Sequence, residues 1–270
     1  MNAKSIKSMV KKRYGEIATA ADTKKGCCCS SGCCGTGSSE SSVFNEDYSK
    51  LGGYVPEADL GLGCGIPTQY AGIKEGQTVV DLGSGAGNDC FVVRRLVGET
   101  GHVIGIDMTE EMIAKAKQNN GKMGYSNVEF RLGEIESMPV ESHETDVVVS
   151  NCVLNLVPDK GKAFAEIARI LKPGGHFCVS DIVLEGEMPE KLKSVAELYA
   201  GCISGAIAKK DYLGIIRSTG FEAIKVESEK EYRIPDERLA EFMDKSALQE
   251  LRRSDVKILS VTVVARKPKG

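Results

Sequence analysis

Ten cysteines and only three histidines in 270 residues make sulfur, not imidazole, the main source of reactive groups. Cys27, Cys28, Cys29, Cys33 and Cys34 crowd into one Gly/Ser-rich stretch, residues 26–42. Three more stand alone in unusual settings. Cys64 lies in Gly61-Leu62-Gly63-Cys64-Gly65-Ile66-Pro67, which its glycines mark as a flexible loop, Cys152 directly follows Asn151, and Cys202 lies in Gly201-Cys202-Ile203-Ser204-Gly205. Thiolates are soft ligands for soft, thiophilic centres, and they exchange with disulfides. A single cysteine is more often a small buried hydrophobe. That plainer reading suits Cys90, on a helical pattern, and Cys178, in the apolar run Phe177-Cys178-Val179.

A second chemical signal is Val79-Val80-Asp81-Leu82-Gly83-Ser84-Gly85-Ala86-Gly87-Asn88. A buried-strand pattern runs into glycines and then a helix, the place where open α/β sheets bind ligands. A dinucleotide fingerprint, G-x-G-x-x-G, would need glycine at position 88, which is Asn. Asp81 would repel a pyrophosphate but suits an ammonium group. Asp107 closes the next strand and can accept hydrogen bonds from two ribose hydroxyls. Together these features resemble the class I S-adenosylmethionine-dependent methyltransferases, with a nicotinamide or flavin fold as the competitor. The resemblance implies a cofactor site of Asp81, Gly83, Ser84, Gly85, Gly87 and Asp107. It adds Met108 packed on the adenine, Gly133-Glu134-Ile135 beside the adenine amine, and Asn151 facing the methionine moiety. Plainer readings make Glu134 a solvated loop carboxylate and Asn151 a strand-ending turn former.

Trivalent arsenic takes up to three sulfur ligands in a pyramid and keeps a lone pair. Thiolates from separate segments can aim that lone pair at a sulfonium methyl, an alignment worth up to about 7–11 kcal/mol in the best intramolecular systems. Such an attack needs no general base, which agrees with the scarcity of histidine. The stretches Val149-Ser150-Asn151-Cys152-Val153-Leu154-Asn155-Leu156-Val157-Pro158-Asp159-Lys160, Gly61-Leu62-Gly63-Cys64-Gly65 and Gly201-Cys202-Ile203-Ser204-Gly205-Ala206 resemble the arsenite S-adenosylmethionine methyltransferases. Val10-Lys11-Lys12-Arg13-Tyr14-Gly15 and the cysteine cluster do too. By that resemblance Cys152 and Cys202 bind As(III). Cys64 joins in binding and redox turnover with one N-terminal cysteine, Cys33 and Cys34 lying nearest the folded domain. The resemblance also implies methylated arsenicals as products, thioredoxin or glutathione as reductant, and no stable metal cofactor.

The elements that must position these groups follow from periodicity. Strand patterns at 78–83, 102–107, 127–133, 145–151, 176–183, 221–228 and 257–266 alternate with helical ones. The helices follow Gly87, open at Thr109, span 162–172, and fall near 189–201, 209–219 and 236–250. Alternation of this kind predicts an α/β fold, a Rossmann-like seven-stranded sheet with helices on both faces, its last strand an antiparallel edge. Residues 1–50 are expected to form an N-terminal helix, a lid or brace, plus a mobile cysteine-rich segment; 51–270 form the methyltransferase domain, with a metalloid-binding insertion at about 184–220. The helix shows in Ile6, Val10, Tyr14 and Ile17, spaced three to four apart. Lys+Arg 35 against Asp+Glu 38 leaves −3, so no basic field recruits nucleic acid. Apolar runs are too short to span a membrane, and the start lacks a secretory h-region, so a cytoplasmic location with reduced thiols is expected. Two rival readings remain at this level: a methyltransferase for a small organic acceptor such as a quinone or sterol precursor, and a thiol-rich metal buffer or sensor.

Overall fold

Val79, Val80, Leu82, Val103, Ile104 and Ile106 are all fully buried, so the central strands are covered on both faces. Continuous β-branched runs rather than alternation are the consequence. The computed structural model describes residues 3–23, 46–186, 205–233, 235–240 and 244–270. Its strands are β1 (Thr78–Leu82), β2 (His102–Asp107), β3 (Val128–Leu132), β4 (Thr145–Asn151), β5 (Leu171–Glu185), β6 (Glu222–Tyr232) and β7 (Lys257–Arg266). They form one seven-stranded sheet in the order β3-β2-β1-β4-β5-β7-β6. The first five run parallel, and β7 lies antiparallel to both β5 and β6. The last strand is therefore antiparallel as expected but not an edge. Leu259, Val261, Val263 and Ala265 are buried, whereas β6, carrying Glu222, Lys225, Glu227, Glu229 and Glu231, takes the edge. Charged side chains on an edge strand discourage pairing with another chain.

The helices are α1 (Ala3–Thr23), α2 (Asn88–Val97), α3 (Glu110–Met123), α4 (Lys160–Ile170), α5 (Lys209–Ser218), α6 (Asp236–Leu239) and α7 (Lys245–Arg253). Cys90, Phe91, Val93, Ile113 and Ala116 of α2 and α3 pack one face of the sheet. Phe164, Ile167, Tyr212 and Ile216 of α4 and α5 pack the other. The side chain of Asp159 caps α4, accepting from the Lys162 N–H at 2.9 Å. That helix stops at Ile170 because Leu171 already pairs with Thr145 on β4. The single helix expected near 236–250 is two short ones. The helix expected near 189–201 lies outside the described residues. Among the described residues, no helix is long and apolar enough to cross a membrane.

Strand order reverses at β1, which pairs with β2 on one side and β4 on the other. The carboxyl ends of β1 and β4 thus flank a crevice, the usual ligand position in open α/β sheets. Helix α1 packs on α3, where a Cβ at Gly15 would stand 3.1 Å from the Glu111 carboxyl, and so lies over this end of the sheet. Close packing under the crevice is unforgiving. A Cβ at Gly105 would stand 2.6 Å from the Phe130 ring and 2.8 Å from the Cys90 sulfur. Gly105→Ala is expected to cost about 1–3 kcal/mol, readable as a lower urea midpoint at unchanged slope.

Candidate active site

Three carboxylates, Asp81 and Asp89 buried and Asp107 partly buried, converge at the carboxyl end of β1. Asp81 is the penultimate residue of β1, Asp107 ends β2, and Asp89 sits in the first turn of α2. All three line one cavity that encloses about 1120 Å³, its open mouth included, enough for a nucleoside-sized ligand. Gly83 makes the turn between β1 and α2. Its φ of +64° is a left-handed value that favours glycine, and a Cβ there would strike Val153. The turn is held from below: the Ser84 N–H donates to the Ile106 carbonyl at 2.9 Å, and the Gly85 N–H donates to Asp107 Oδ2 at 3.0 Å. The Thr109 N–H donates to Asp107 Oδ1 at 2.8 Å, so both oxygens of Asp107 are fixed in place.

Burial, with Asp89 and Asp107 close by, pushes the Asp81 carboxyl well up from the ordinary carboxylate range. Burial likewise raises Asp89, to about 6, against hydrogen bonds from Tyr48 and Asn151 that hold it down. Three carboxylates in one partly desolvated crevice repel one another and favour a cationic guest. The hydroxyl of Ser84 is buried without a hydrogen-bond partner among the described residues and also lines the cavity. It is a polar group left for a ligand.

Asn151, the last residue of β4, ties this crevice to the cysteine loop. Its Oδ1 accepts from the Cys64 N–H at 3.0 Å. Its Nδ2 donates to the Tyr48 hydroxyl at 2.8 Å and the Gly65 carbonyl at 2.9 Å, and approaches Asp89 Oδ2 at 3.3 Å. The Tyr48 hydroxyl in turn lies 2.9 Å from Asp89 Oδ1 and 3.1 Å from the Gly65 carbonyl. On the other side of the loop, the Ser260 hydroxyl donates to the Cys64 carbonyl at 2.6 Å. The loop read as flexible from its glycines is therefore pinned through both backbone groups of Cys64, whose side chain is 1% exposed.

Cys152 follows with φ +61°, a left-handed backbone that costs a non-glycine residue roughly 1–2 kcal/mol. Its N–H donates to the Ser180 carbonyl at 2.7 Å, which secures the turn. Cys152 is 2% exposed, lines the cavity, and packs in one cluster with Cys64, Ile182 and Ile258. Tyr212, whose hydroxyl donates to Asp181 Oδ2 at 2.9 Å, lies within electrostatic reach of both sulfurs. Cys33, Cys34 and Cys202 lie outside the described residues. Gly205, three positions after Cys202, is pressed against the Asn155 carbonyl, three positions after Cys152.

Of the residues expected around the cofactor, Asp81, Gly83, Ser84, Gly85, Asp107, Met108, Gly133, Glu134, Ile135 and Asn151 line the cavity. Gly87 does not. It precedes α2 with φ +97° and backs onto the Phe91 and Phe130 rings. Glu134 and Glu136 are bound to Lys7 of α1, the Glu134 contact at 2.7 Å, and that hydrogen bond holds the Glu134 carboxyl below its usual range. Lys7, Val10 and Tyr14 thereby close one wall of the cavity, the brace expected of α1. Asp89 and Tyr48 were not anticipated. Asp89 was visible only as an acidic first turn after a glycine loop, and Tyr48 carried no signal, since its partners are remote in sequence.

The chain matches the model of the methyltransferase domain family over residues 73–220 and belongs to that family. The seven-stranded sheet with helices on both faces is the class I methyltransferase fold. The chain is 39% identical, over 97% of its own length and 66% of the relative's, to the arsenite methyltransferase of Halobacterium salinarum. It is 36% identical to the mouse arsenite methyltransferase over 82% of this chain and 59% of that one. It therefore spans somewhat under two thirds of these relatives. Among solved structures, the arsenic(III) S-adenosylmethionine methyltransferase of Chlamydomonas reinhardtii superposes with a TM-score of 0.66 at 34% identity, covering 77% of this chain and 68% of the other.

Proposed function

We propose that the chain is an arsenite methyltransferase, transferring a methyl group from S-adenosylmethionine to thiol-bound As(III). The observation that carries this reading is the shared burial of Cys64 and Cys152 beside an acidic cavity that Cys152 itself lines. The cofactor, when bound, supplies an electrophilic methyl on a cationic sulfonium, and this cavity fits such a group. Asp81, Asp89 and Asp107 provide the negative potential. Asp107, fixed by hydrogen bonds from the Gly85 and Thr109 backbone N–H groups among others, lines the cavity where ribose hydroxyls would reach it. Ser84 offers an unused hydroxyl.

The thiols of Cys64, Cys152 and Cys202 hold the arsenic substrate. In support, Gly205, three positions after Cys202 in the chain, is seated against the Asn155 carbonyl. Each thiol proton leaves with an arsenite hydroxyl as water. The arsenic lone pair then forms the As–CH₃ bond, and the breaking S–CH₃ bond returns its pair to sulfur. Arsenic rises formally to As(V). Two thiols reduce it again as they form a disulfide, with Cys64 and one of Cys33 or Cys34 as the pair, and thioredoxin or glutathione restores the thiols. No buried base is required.

The test uses purified full-length chain, methyl-labelled S-adenosylmethionine, arsenite and a thiol reductant, with labelled arsenicals as the expected product. If the native protein shows no arsenite-dependent transfer, the proposal fails. Label transferred to an organic acceptor in a Cys152→Ser variant would favour the small-molecule reading instead.

The site also implies a pH dependence. Asp89 titrates near 6 when folded, above the ordinary 3.8, so its ionised form is the disfavoured one in the fold, and that penalty fades as pH falls towards 4. A cationic ligand wants the ionised form. Affinity for S-adenosylmethionine is therefore expected to fall as pH drops through about 6, and Asp89→Asn should flatten that step. Calorimetric titration at a series of pH values reads both.

A further inference from the structure

Cys90 does not line the cavity, it packs in the same core cluster as Cys178, and its sequence setting marks it as filler. The structure gives it a partner. Its Sγ lies 3.2 Å from Asp81 Oδ2, and both side chains are buried. The sulfur occupies a slot made for it. Asp81 pairs with Gly105 across the β1–β2 ladder, and Gly105 leaves room where a Cβ would meet the sulfur at 2.8 Å. Among the described residues, this thiol supplies the one side-chain hydrogen bond given to the Asp81 carboxyl.

We propose that Cys90 is a positioning residue for the cofactor: its S–H holds Asp81 in the rotamer that presents the remaining oxygen to the cavity. The proposal rests on the cofactor reading above but not on arsenic.

Two facts make a thiol suited to the task. Burial, with Asp81 and Asp89 beside it, raises the Cys90 thiol well above its ordinary range, so it stays a donor and is not a nucleophile. Donation to a carboxylate favours its charged form, which opposes the burial and the repulsion that push Asp81 upward. The groups facing Asp81 are otherwise unhelpful. Asp89 comes from α2, Asp107 from β2, and the Tyr48 hydroxyl from the segment before the sheet. Lys7 is engaged by Glu134 and Glu136 at the other end of the cavity. Among the described residues no cation is placed beside Asp81, and the thiol is the group that favours its charged form.

The experiment measures binding of S-adenosylhomocysteine to the full chain by calorimetry from acid to neutral pH, in wild type, Cys90→Ser and Cys90→Ala. Thermal midpoints without ligand are recorded for each. The Ser variant retains an O–H donor and is expected to bind within about threefold of wild type. The Ala variant is expected to bind about tenfold more weakly, the loss of one hydrogen bond to a charged group. Its affinity should also begin to fall at a higher pH on acidification, because Asp81 then protonates sooner. Asp89 titrates in all three variants, so only the difference between them is informative. Wild-type affinity and an unmoved pH profile in Cys90→Ala overturn the proposal. So does a Ser variant as weak as Ala, which assigns Cys90 to packing. If native protein binds no S-adenosylhomocysteine, the cofactor reading fails together with this inference. If it binds and the variants do not differ, only the role of Cys90 fails.

Discussion

Cys152→Ser is expected to lower arsenite-dependent methyl transfer by at least about 100-fold while leaving the affinity for S-adenosylhomocysteine within about threefold. A hydroxyl is hard and weakly acidic, and it does not replace a thiolate on a soft centre. In the proposed three-thiol site, losing one ligand lets the arsenic rotate its lone pair away from the methyl, and alignment is where a rate of this kind comes from. The carboxylates proposed to hold the cofactor, Asp81, Asp89 and Asp107, are on β1, α2 and β2, so binding should survive. Single-turnover transfer together with a calorimetric binding curve separates the two effects. A variant that turns over normally would show that the sulfur merely lines a pocket. The backbone adds a second readout. Cys152 sits at φ +61°, where glycine carries no steric cost. Cys152→Gly should therefore be as stable as Cys152→Ala or more stable, by about 0.5–1 kcal/mol, the reverse of the order expected within a strand. Urea unfolding of the two variants decides it. A strained residue in the wall of a cavity is the pattern of a position kept for chemistry.

The second large effect is expected at Asn151. Asn151→Ala removes one acceptor and up to three donor contacts at once. The Cys64 N–H, the Gly65 carbonyl and the Asp89 carboxyl each lose a partner in a buried setting. A buried group that loses a partner costs up to about 1–3 kcal/mol, and the Tyr48 contacts that Gly65 and Asp89 keep bring the expected total to about 2–4 kcal/mol. Turnover should fall further than stability, by more than about 100-fold, because the Cys64 loop loses its register against the cavity. Measuring cofactor affinity alongside the unfolding midpoint checks this. A variant with wild-type stability and rate would mean that Tyr48 and Ser260 alone hold the loop.

Much of the scaffold was legible in the residues. Seven strand patterns became seven strands, because a sheet covered on both faces demands long apolar runs and short turns between them. Asp81, Gly83 and Asp107 announced a cavity because their spacing belongs to one local unit, a strand, a turn, a helix and the next strand. The misread features share a cause. β7 was taken for an edge because its neighbours are assigned by pairing across the sheet, which local sequence does not encode. The glycines around Cys64 promised freedom, yet hydrogen bonds to Asn151 and from Ser260, remote in the chain, pin that loop.

By itself the sequence determined the local chemistry: which side chains are soft, which strand ends in a carboxylate, and where the chain must turn. These depend on neighbours within a few residues. Only the tertiary structure decided that Asp89 and Tyr48 join the crevice, that α1 closes it through Lys7, and that Cys90 supports Asp81. Those facts arise where separate segments meet, and long-range packing is a property of the whole chain's burial rather than of any stretch of it.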